Sequence, residues 1–229
     1  MLMLNTSGDA LSRRGYRTWN GEAPLRETLA AALVELSGWK PGQPLHDPCC
    51  GTGTIITEAA LIAAKRAPGQ YRNFAMEKYK CFQSVDFLRI RALSESTINY
   101  DGIREISGSD IDPNVLELAQ RHIRQAGIKQ NLVRIETIPL QELQLNKEMG
   151  VFICNPPYGE RLSDQKHCRM LYHDLFLLWQ RHPTWRMCVI SSDPSFERSF
   201  GKRAIRKHRL YNGRLECVFY SYESSMNIK

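Results

Sequence analysis

The residues best suited to chemistry stand in one short stretch, Asn155-Pro156-Pro157-Tyr158, directly after the apolar run Val151-Phe152-Ile153-Cys154. A run of this length and composition is typical of a buried central strand in a parallel sheet. The two prolines cannot donate backbone hydrogen bonds and push the residues before them towards extended geometry. The side chain of Asn155 and the nearby carbonyls are therefore expected beyond the strand's carboxyl end, where open α/β sheets bind ligands.

These groups fit a planar molecule that carries an exocyclic amino group. Asn155 and Pro156 offer acceptors for its N–H bonds, and Tyr158 offers a stacking face. Fixed acceptors can draw the amine towards tetrahedral geometry, aim its lone pair at an electrophilic methyl group and stabilise the developing positive charge. We therefore predict methyl transfer to an amino nitrogen, with Asn155, Pro156, Pro157 and Tyr158 as the catalytic set. Taken alone, the stretch also fits an ordinary strand-to-loop turn.

A second constellation has the order strand, glycine turn, helix, at residues 45–48, 49–54 and 55–65. Small residues in such a turn let the backbone approach a ligand. The third glycine of the dinucleotide fingerprint would fall at Ile56, which argues against NAD or FAD. Asp47 would repel a pyrophosphate but would suit an ammonium or sulfonium group; a tight turn without a ligand is the alternative. The predicted cofactor-binding residues here are Asp47, Cys49, Gly51, Thr52, Gly53 and Thr54.

Acidic side chains close the next predicted strand, Ile106–Asp110. An acid at this position of the fold grips a ribose diol with two hydrogen bonds, and we assign that role to Asp110. Asp112 precedes Pro113 and is predicted to cap the helix over residues 114–126. Asp112 and Asn155 complete the predicted cofactor-binding set.

The remaining pattern predicts the elements that position these residues. From Asp47 to Asn155 there are 108 residues, enough for three βα units of roughly 30 residues each and an insertion. The glycine turn then follows strand one and Asn155 follows strand four, at the same sheet edge. The other predicted elements are a strand at 1–5, helices at 24–36, 86–99 and about 170–180, strands at 132–138 and 186–191, an insertion at about 68–106, and a hairpin of 203–210 and 215–222 joined by 211–214.

Composition limits the classes of partner and compartment. The formal charge of +7, from 31 basic and 24 acidic residues, favours a polyanion. Seven cysteines without zinc-site spacing indicate reduced thiols, no metal and a cytoplasmic protein. No apolar stretch is long enough to cross a membrane. We expect an N-terminal strand and basic linker at 1–22, as the junction of a larger protein, and one domain at 23–229.

Two basic groups are candidates for RNA contact. The first surrounds Tyr16, and a solvated loop is the alternative reading. The second follows the fifth strand, is expected towards the active-site rim, and has a charge-protected edge strand as its alternative. Their members are Arg13, Arg14 and Arg17, and Lys202, Arg203, Arg206, Lys207 and Arg209.

Asp47, the paired glycines, Asp110 and Asn-Pro-Pro-Tyr together resemble the class I S-adenosylmethionine-dependent methyltransferases that act on amino nitrogens. The resemblance implies a Rossmann-like α/β fold: a seven-stranded, mostly parallel sheet with an antiparallel C-terminal hairpin and helices on both faces. It also implies S-adenosyl-L-methionine as cofactor. Gly51 and Gly53 would then lie against its methionine and ribose, Asp47 near its ammonium group and Asp110 on the ribose hydroxyls.

Longer stretches resemble the catalytic half of bacterial THUMP-containing 23S rRNA guanine-N2 methyltransferases, at residues 6–9, 14–17, 23–30, 155–162 and 210–213. This implies methylation of the exocyclic N2 amine of guanine in RNA, with rRNA as first choice. The alternatives are a tRNA guanine-N2 enzyme, a protein-glutamine or DNA-adenine amino methyltransferase, and a non-catalytic RNA-binding domain. Two departures stand out: nothing before Thr6 could form a THUMP module, and Thr137, Ile138 and Pro139 offer no acid for the adenine amine.

Overall fold

A seven-stranded sheet organises the computed structural model, which describes residues 3–17, 25–70, 72–158 and 162–224. The strands are β1 (Leu45–Asp47), β2 (Ile106–Asp110), β3 (Val133–Thr137), β4 (Val151–Cys154), β5 (Arg186–Ser191), β6 (Arg206–Asn212) and β7 (Leu215–Tyr222). The α-helices are α1 (Glu27–Leu36), α2 (Thr54–Ala63), α3 (Phe87–Ser96), α4 (Pro113–Gln125), α5 (Leu162–Arg181) and α6 (Phe196–Phe200).

The strand order is β3-β2-β1-β4-β5-β7-β6. β1 to β5 are parallel, whereas β7 runs antiparallel to both β5 and β6. Chain order reverses between β1 and β4, whose register pairs His46 with Phe152. This reversal is the switch point at which open α/β sheets form their ligand crevice. The predicted fold class is confirmed.

Alternating residues of the central strands contribute to two hydrophobic cores, one on each face of the sheet. In β4, Val151 and Ile153 join the core that contains the buried side chains of α1, α2 and α4. Phe152 and Cys154 join the other core, which contains α5 and α6. Because both faces are covered, β4 is buried along its whole length, as its unbroken apolar run predicts.

Two predicted strand positions are wrong. Residues 3–5 form no strand, because the side chain of Asn5 accepts the backbone N–H groups of Ser7 and Gly8 and turns the chain. The hairpin strand begins at Arg206 rather than at residue 203. There the backbone N–H of Ala204 donates to Glu197 of α6 at 2.8 Å, so pairing with β7 starts only at Ile205.

Other boundaries moved by a few residues. α5 begins eight residues before the predicted start near 170, and β3 and α4 differ from prediction by one residue at their ends. The predicted first helix is confirmed from Glu27 onwards, and Pro24 lies outside the described residues. The hairpin turn is shorter than predicted, with only Gly213 and Arg214 between the strands.

The insertion contains α3 and three short 3₁₀ turns, Ala75–Lys78, Lys80–Phe82 and Tyr100–Gly102. No residue of α3 is buried. The N-terminal segment packs on the insertion, since Tyr79 donates its hydroxyl to the carbonyl of Asn5 at 2.7 Å and Met76 donates its N–H to Thr6 at 3.1 Å. In the part of the chain that the structure describes, no helix is both long and apolar enough to span a membrane.

Candidate active site

The glycine turn is folded by its own backbone and by two carboxylates. Gly51 and Gly53 have φ angles of +49° and +76°, a region that side chains disfavour. The N–H of Cys50 donates to the carbonyl of Ser109 at 2.9 Å, which ties the turn to β2. A Cβ atom at Gly53 would lie 3.0 Å from the Cβ of Ala119 on α4. The second glycine is therefore required both by its conformation and by close packing.

Asp110 bridges the turn and the end of β2. Its Oδ2 accepts the N–H of Gly51 at 2.9 Å, and its Oδ1 accepts the N–H of Asp112 at 3.2 Å. Each oxygen keeps a second lone pair, and the residue is partly exposed. Asp110 can therefore accept two hydroxyl groups of a ribose while it holds the turn. Asp112 caps α4 as predicted, with Oδ1 accepting the N–H of Asn114 at 2.9 Å.

The side chain of Asp47 is buried inside the glycine turn. It is 1% exposed and accepts the N–H of Cys49 at 3.1 Å. Burial raises its pKa, and the neighbouring carboxylate of Asp110 raises it further. Burial and the same two carboxylates raise the pKa of the Cys49 thiol. Asp47 therefore supports the turn from inside and has almost no exposed surface with which to contact a cation directly.

His122 supports the turn from α4, although the sequence reasoning did not single it out. Its Nδ1 lies 3.1 Å from the carbonyl of Thr52, and the side chain is fully buried. The sequence could have indicated His122 by its helical spacing from Leu116 and Ala119, which places it on the buried face of α4. Thr54 starts α2 and is buried, while Thr52 is partly exposed.

Tyr158 folds back onto Asn155 at the end of β4. Its hydroxyl donates a hydrogen bond to Oδ1 of Asn155, and its ring packs against the core that contains α1 and α2. Burial raises the pKa of Tyr158, so the phenol keeps its proton at neutral pH. This hydrogen bond therefore fixes the orientation of the Asn155 amide group.

Two residues missed by the sequence reasoning complete this region. Tyr172 of α5 donates its hydroxyl to the carbonyl of Pro157 at 3.1 Å. The thiol of Cys217 on β7 is within hydrogen-bonding reach of the hydroxyl of Tyr158. Pro156 is buried and Pro157 is exposed. Both contacts join residues far apart in sequence, so no local pattern could have indicated them.

The two constellations meet at one edge of the sheet. β1 and β4 are neighbours, and the parallel direction puts both carboxyl ends on the same side. The register places Asp47 level with Ile153, and Asn155 two residues further along. A cofactor turn and a set of amine acceptors side by side can serve group transfer to nitrogen.

The comparison with protein families decides the assignment. A family described as "RMKL-like, methyltransferase domain" matches residues 14–221. The chain belongs to this family.

Relatives of the RMKL-like domain carry RNA methyltransferase names. The Bacillus subtilis protein named "Putative RNA methyltransferase YpsC" is 37% identical over 226 residues, which cover 99% of this chain and 58% of the relative. The ribosomal RNA large subunit methyltransferase K/L of Allochromatium vinosum is 37% identical over 230 residues, covering 96% and 31%. The chain thus spans about a third to three fifths of the length of these relatives.

A solved structure shares the whole architecture of this RMKL-like domain. SMU.472, crystallised in complex with SAH, superimposes with a TM-score of 0.88 at 39% identity. The match covers 98% of this chain and 58% of the other.

The two groups of basic residues predicted to contact RNA have different surroundings in this RMKL-like domain. Arg14 donates to Glu58 of α2 at 3.0 Å, and Arg17 donates to the carbonyl of Leu25 at 2.7 Å. Their side chains are only 10% and 4% exposed, so both guanidinium groups serve contacts within the domain. Arg13 is exposed.

The expectation that the whole second group lies at the rim is wrong. The carbonyl of Lys202 accepts from Tyr222, which pairs with Met187 in the amino half of β5. Lys207 is level with Cys154 through Tyr220 and Val189, and Arg209 is level with Ser191. β7 is antiparallel to both β5 and β6, so β6 runs in the same direction as β4, three strands away. Lys202, Arg203 and Arg206 therefore lie on the amino side, and Arg209 reaches the carboxyl edge.

Proposed function

We propose that this domain binds S-adenosyl-L-methionine and methylates the exocyclic N2 amine of a guanine in RNA, with large-subunit rRNA as the first substrate. The observation that carries the proposal is the position of Asn155 and Pro156, which directly follow β4, the neighbour of the strand that leads into the glycine turn. An amine held there would lie beside a cofactor bound at the turn, which supports the proposal.

The residues of the glycine turn fit this cofactor. A Cβ atom at Gly51 would meet nothing within 4 Å, so the backbone there faces open space that a ligand can fill. Asp110, at the end of the second strand, has lone pairs left for ribose hydroxyls. When bound, the cofactor supplies an electrophilic methyl group.

The chain's own residues prepare the nucleophile. The amide oxygen of Asn155 and the carbonyl of Pro156 accept the N–H groups of the base and direct the nitrogen lone pair. Their partial negative charge stabilises the positive charge that develops on nitrogen. Tyr158 orients Asn155 through its hydroxyl. The fixed geometry lowers the entropic cost of bringing the amine to the methyl group.

RNA as the acceptor is supported by three observations. Two relatives at 37% identity are named as RNA methyltransferases, one of them acting on large-subunit rRNA by its name. The formal charge is +7, which favours a polyanion. Exposed basic residues also lie on β6.

The test is methyl transfer by the purified chain to RNA from cells that lack it. Total RNA is incubated with S-adenosyl-L-methionine, digested to nucleosides and analysed by mass spectrometry. We expect N2-methylguanosine with the parent protein and almost none with Asn155→Ala. Methylation of adenine in the RNA, or methylation only of DNA or of a protein glutamine offered in parallel reactions, would instead assign the domain to one of the other amino acceptors.

A further inference from the structure

The β6–β7 hairpin projects beyond the carboxyl edge of the sheet. The last residue of β5, Ser191, pairs with Val218 of β7. The hairpin then continues through three more pairs, of which the last joins Asn212 to Leu215. At about 3.4 Å per residue, roughly 10 Å of hairpin rises past the end of β5. This projecting tip forms a wall at the candidate active site.

Two contacts place the wall beside the target-binding residues. The thiol of Cys217, at the base of the projecting part, lies within hydrogen-bonding reach of Tyr158. The N–H of Arg26, just before α1, donates to Oδ1 of Asn212 at 3.3 Å. A Cβ atom at Gly213 would lie 3.2 Å from Nη2 of Arg26, so the guanidinium group rests against the turn.

The exposed side chains of the tip have the chemistry of a single-stranded nucleic-acid surface. Tyr211 is 56% exposed, and Arg26 and Arg214 are exposed. Within the described ranges, neither of these two arginines forms an ion pair, whereas Arg209 is paired with Glu216 at 2.9 Å. Cations that follow the phosphates and an aromatic ring that stacks on a base are the usual means of holding an unpaired strand.

We propose that Arg26, Tyr211 and Arg214 form a rim that holds the nucleotides flanking the target guanine. Arg26 and Arg214 bind phosphates, and Tyr211 stacks on a neighbouring base. This inference rests on the proposed RNA substrate. It adds contacts at the hairpin tip to the phosphate contacts predicted for β6, whose first residues lie level with β4 and not beyond the carboxyl edge of β5.

The first test measures how RNA affinity depends on salt. The probe is a fluorescent oligouridine of about 12 nucleotides with one central guanine. Loss of two phosphate contacts lowers the log–log salt slope by about 1.4 for a single strand, and we expect this for Arg26→Gln/Arg214→Gln. The matched control is Lys40→Gln/Lys129→Gln, which removes the same charge from exposed residues that precede β1 and β3 at the opposite edge. The control should keep the parent slope.

The second test isolates stacking. Tyr211→Ala should weaken binding of the oligonucleotide about 5- to 150-fold, the range of one lost base–aromatic stack. Tyr211→Phe, which keeps the ring and loses only the hydroxyl contact to Glu216, should bind like the parent. Abasic sites on both sides of the guanine should weaken the parent and leave Tyr211→Ala unchanged. Unaltered binding of SAH shows that each variant is folded.

The outcomes separate this inference from the proposed function. The rim would be overturned if the tip and control variants had equal log–log salt slopes. It would also be overturned if abasic sites weakened RNA binding equally in the parent and in Tyr211→Ala. A parent protein that binds SAH but no RNA at low salt would overturn it as well. Rim-dependent RNA binding without formation of N2-methylguanosine would support the rim and refute the proposed methylation.

Discussion

The backbone N–H of Gly51 donates a hydrogen bond to Oδ2 of Asp110 at 2.9 Å, across 59 positions of the chain. One carboxylate thereby joins the glycine turn after β1 to the end of β2. The same group is the predicted acceptor for ribose hydroxyls. Asp110 therefore shapes the cofactor site and is also expected to bind within it.

Replacement of Asp110 tests this double role. We expect Asp110→Ala to weaken SAH binding by ~1–3 kcal/mol, because it removes hydrogen bonds both to the ligand and to the turn. Asp112→Ala is compared for stability: it removes the cap of α4 and should lower the free energy of unfolding by ~1 kcal/mol. Titration calorimetry with SAH and urea unfolding separate the two effects. Equal affinity of Asp110→Ala and the parent would contradict the role of Asp110 in the cofactor site.

Asn155 should act on chemistry and not on cofactor affinity. Asn155→Ala removes the acceptor proposed to stabilise positive charge in the transition state, which predicts a loss of about 10²–10³ in kcat. SAH affinity should stay near that of the parent, because Asp47 and Asp110 hold the glycine turn; a marked loss of affinity would instead support the predicted place of Asn155 in the cofactor-binding set. Single-turnover methylation and SAH titration of the same preparation provide the check. Full turnover by the variant would move the acceptor role to another group.

The proposal gives Tyr158 two separable functions, one in its hydroxyl and one in its ring. Tyr158→Phe removes the donor that orients Asn155 and should lower kcat several-fold, about the effect of one neutral hydrogen bond, with little change in KM. Tyr158→Ala also removes the stacking face and should raise KM for RNA. Steady-state kinetics on one RNA substrate distinguish the two. If Tyr158→Phe kept the parent kcat, the hydroxyl contact would have no part in orientation.

The sequence predicted those parts of the site that arise from local patterns. The apolar run before Asn155 and the two prolines after it specify a buried strand with an abrupt end, and the paired glycines specify the turn after β1. Tyr172 and Cys217 were missed because their contacts depend on how α5 and β7 pack against β4. Such long-range contacts leave no periodic signal in one sequence.

The position of the basic residues on β6 was mispredicted for a related reason. Their height relative to Asn155 depends on the register of β6 against β7 and of β7 against β5. Composition indicated an edge strand rich in cations, but strand register is set by cross-strand packing and by the turn. The hydrogen bond from the N–H of Ala204 to Glu197, after which β6 begins, could not be predicted from the sequence either.

Glu58 should make stability depend on pH. It accepts hydrogen bonds from Tyr16 at 2.9 Å and Arg14 at 3.0 Å, yet burial dominates and raises its pKa to about 7. The folded protein then binds this proton more tightly than the unfolded chain does, so the stabilisation is present at low pH and is lost as pH rises from about 4.5 through 7.

A neutral variant measures that effect. Relative to Glu58→Gln, the parent should lose ~1–3 kcal/mol of unfolding free energy between about pH 4.5 and 8. Urea unfolding of both proteins across this range gives the difference between their unfolding free energies. The contributions of the other titrating groups are common to both proteins and largely cancel in that difference. A difference that did not change with pH, or that favoured the parent at high pH, would show that Arg14 and Tyr16 outweigh burial.

The predicted phosphate contacts of Arg206 and Lys207 can be tested by strand geometry. Successive residues of a strand point to opposite faces, and Lys207 already pairs with Glu197 of α6. One RNA strand that lies along one face of β6 can meet only one of the two. The double variant Arg206→Gln/Lys207→Gln should therefore lower the log–log salt slope by about 0.7, the value for one contact, and leave SAH affinity unchanged. Arg206→Gln alone should account for nearly all of this change. A loss near 1.4 in the double variant would require RNA on both faces of the hairpin, and no loss would leave β6 as an edge strand protected by charge.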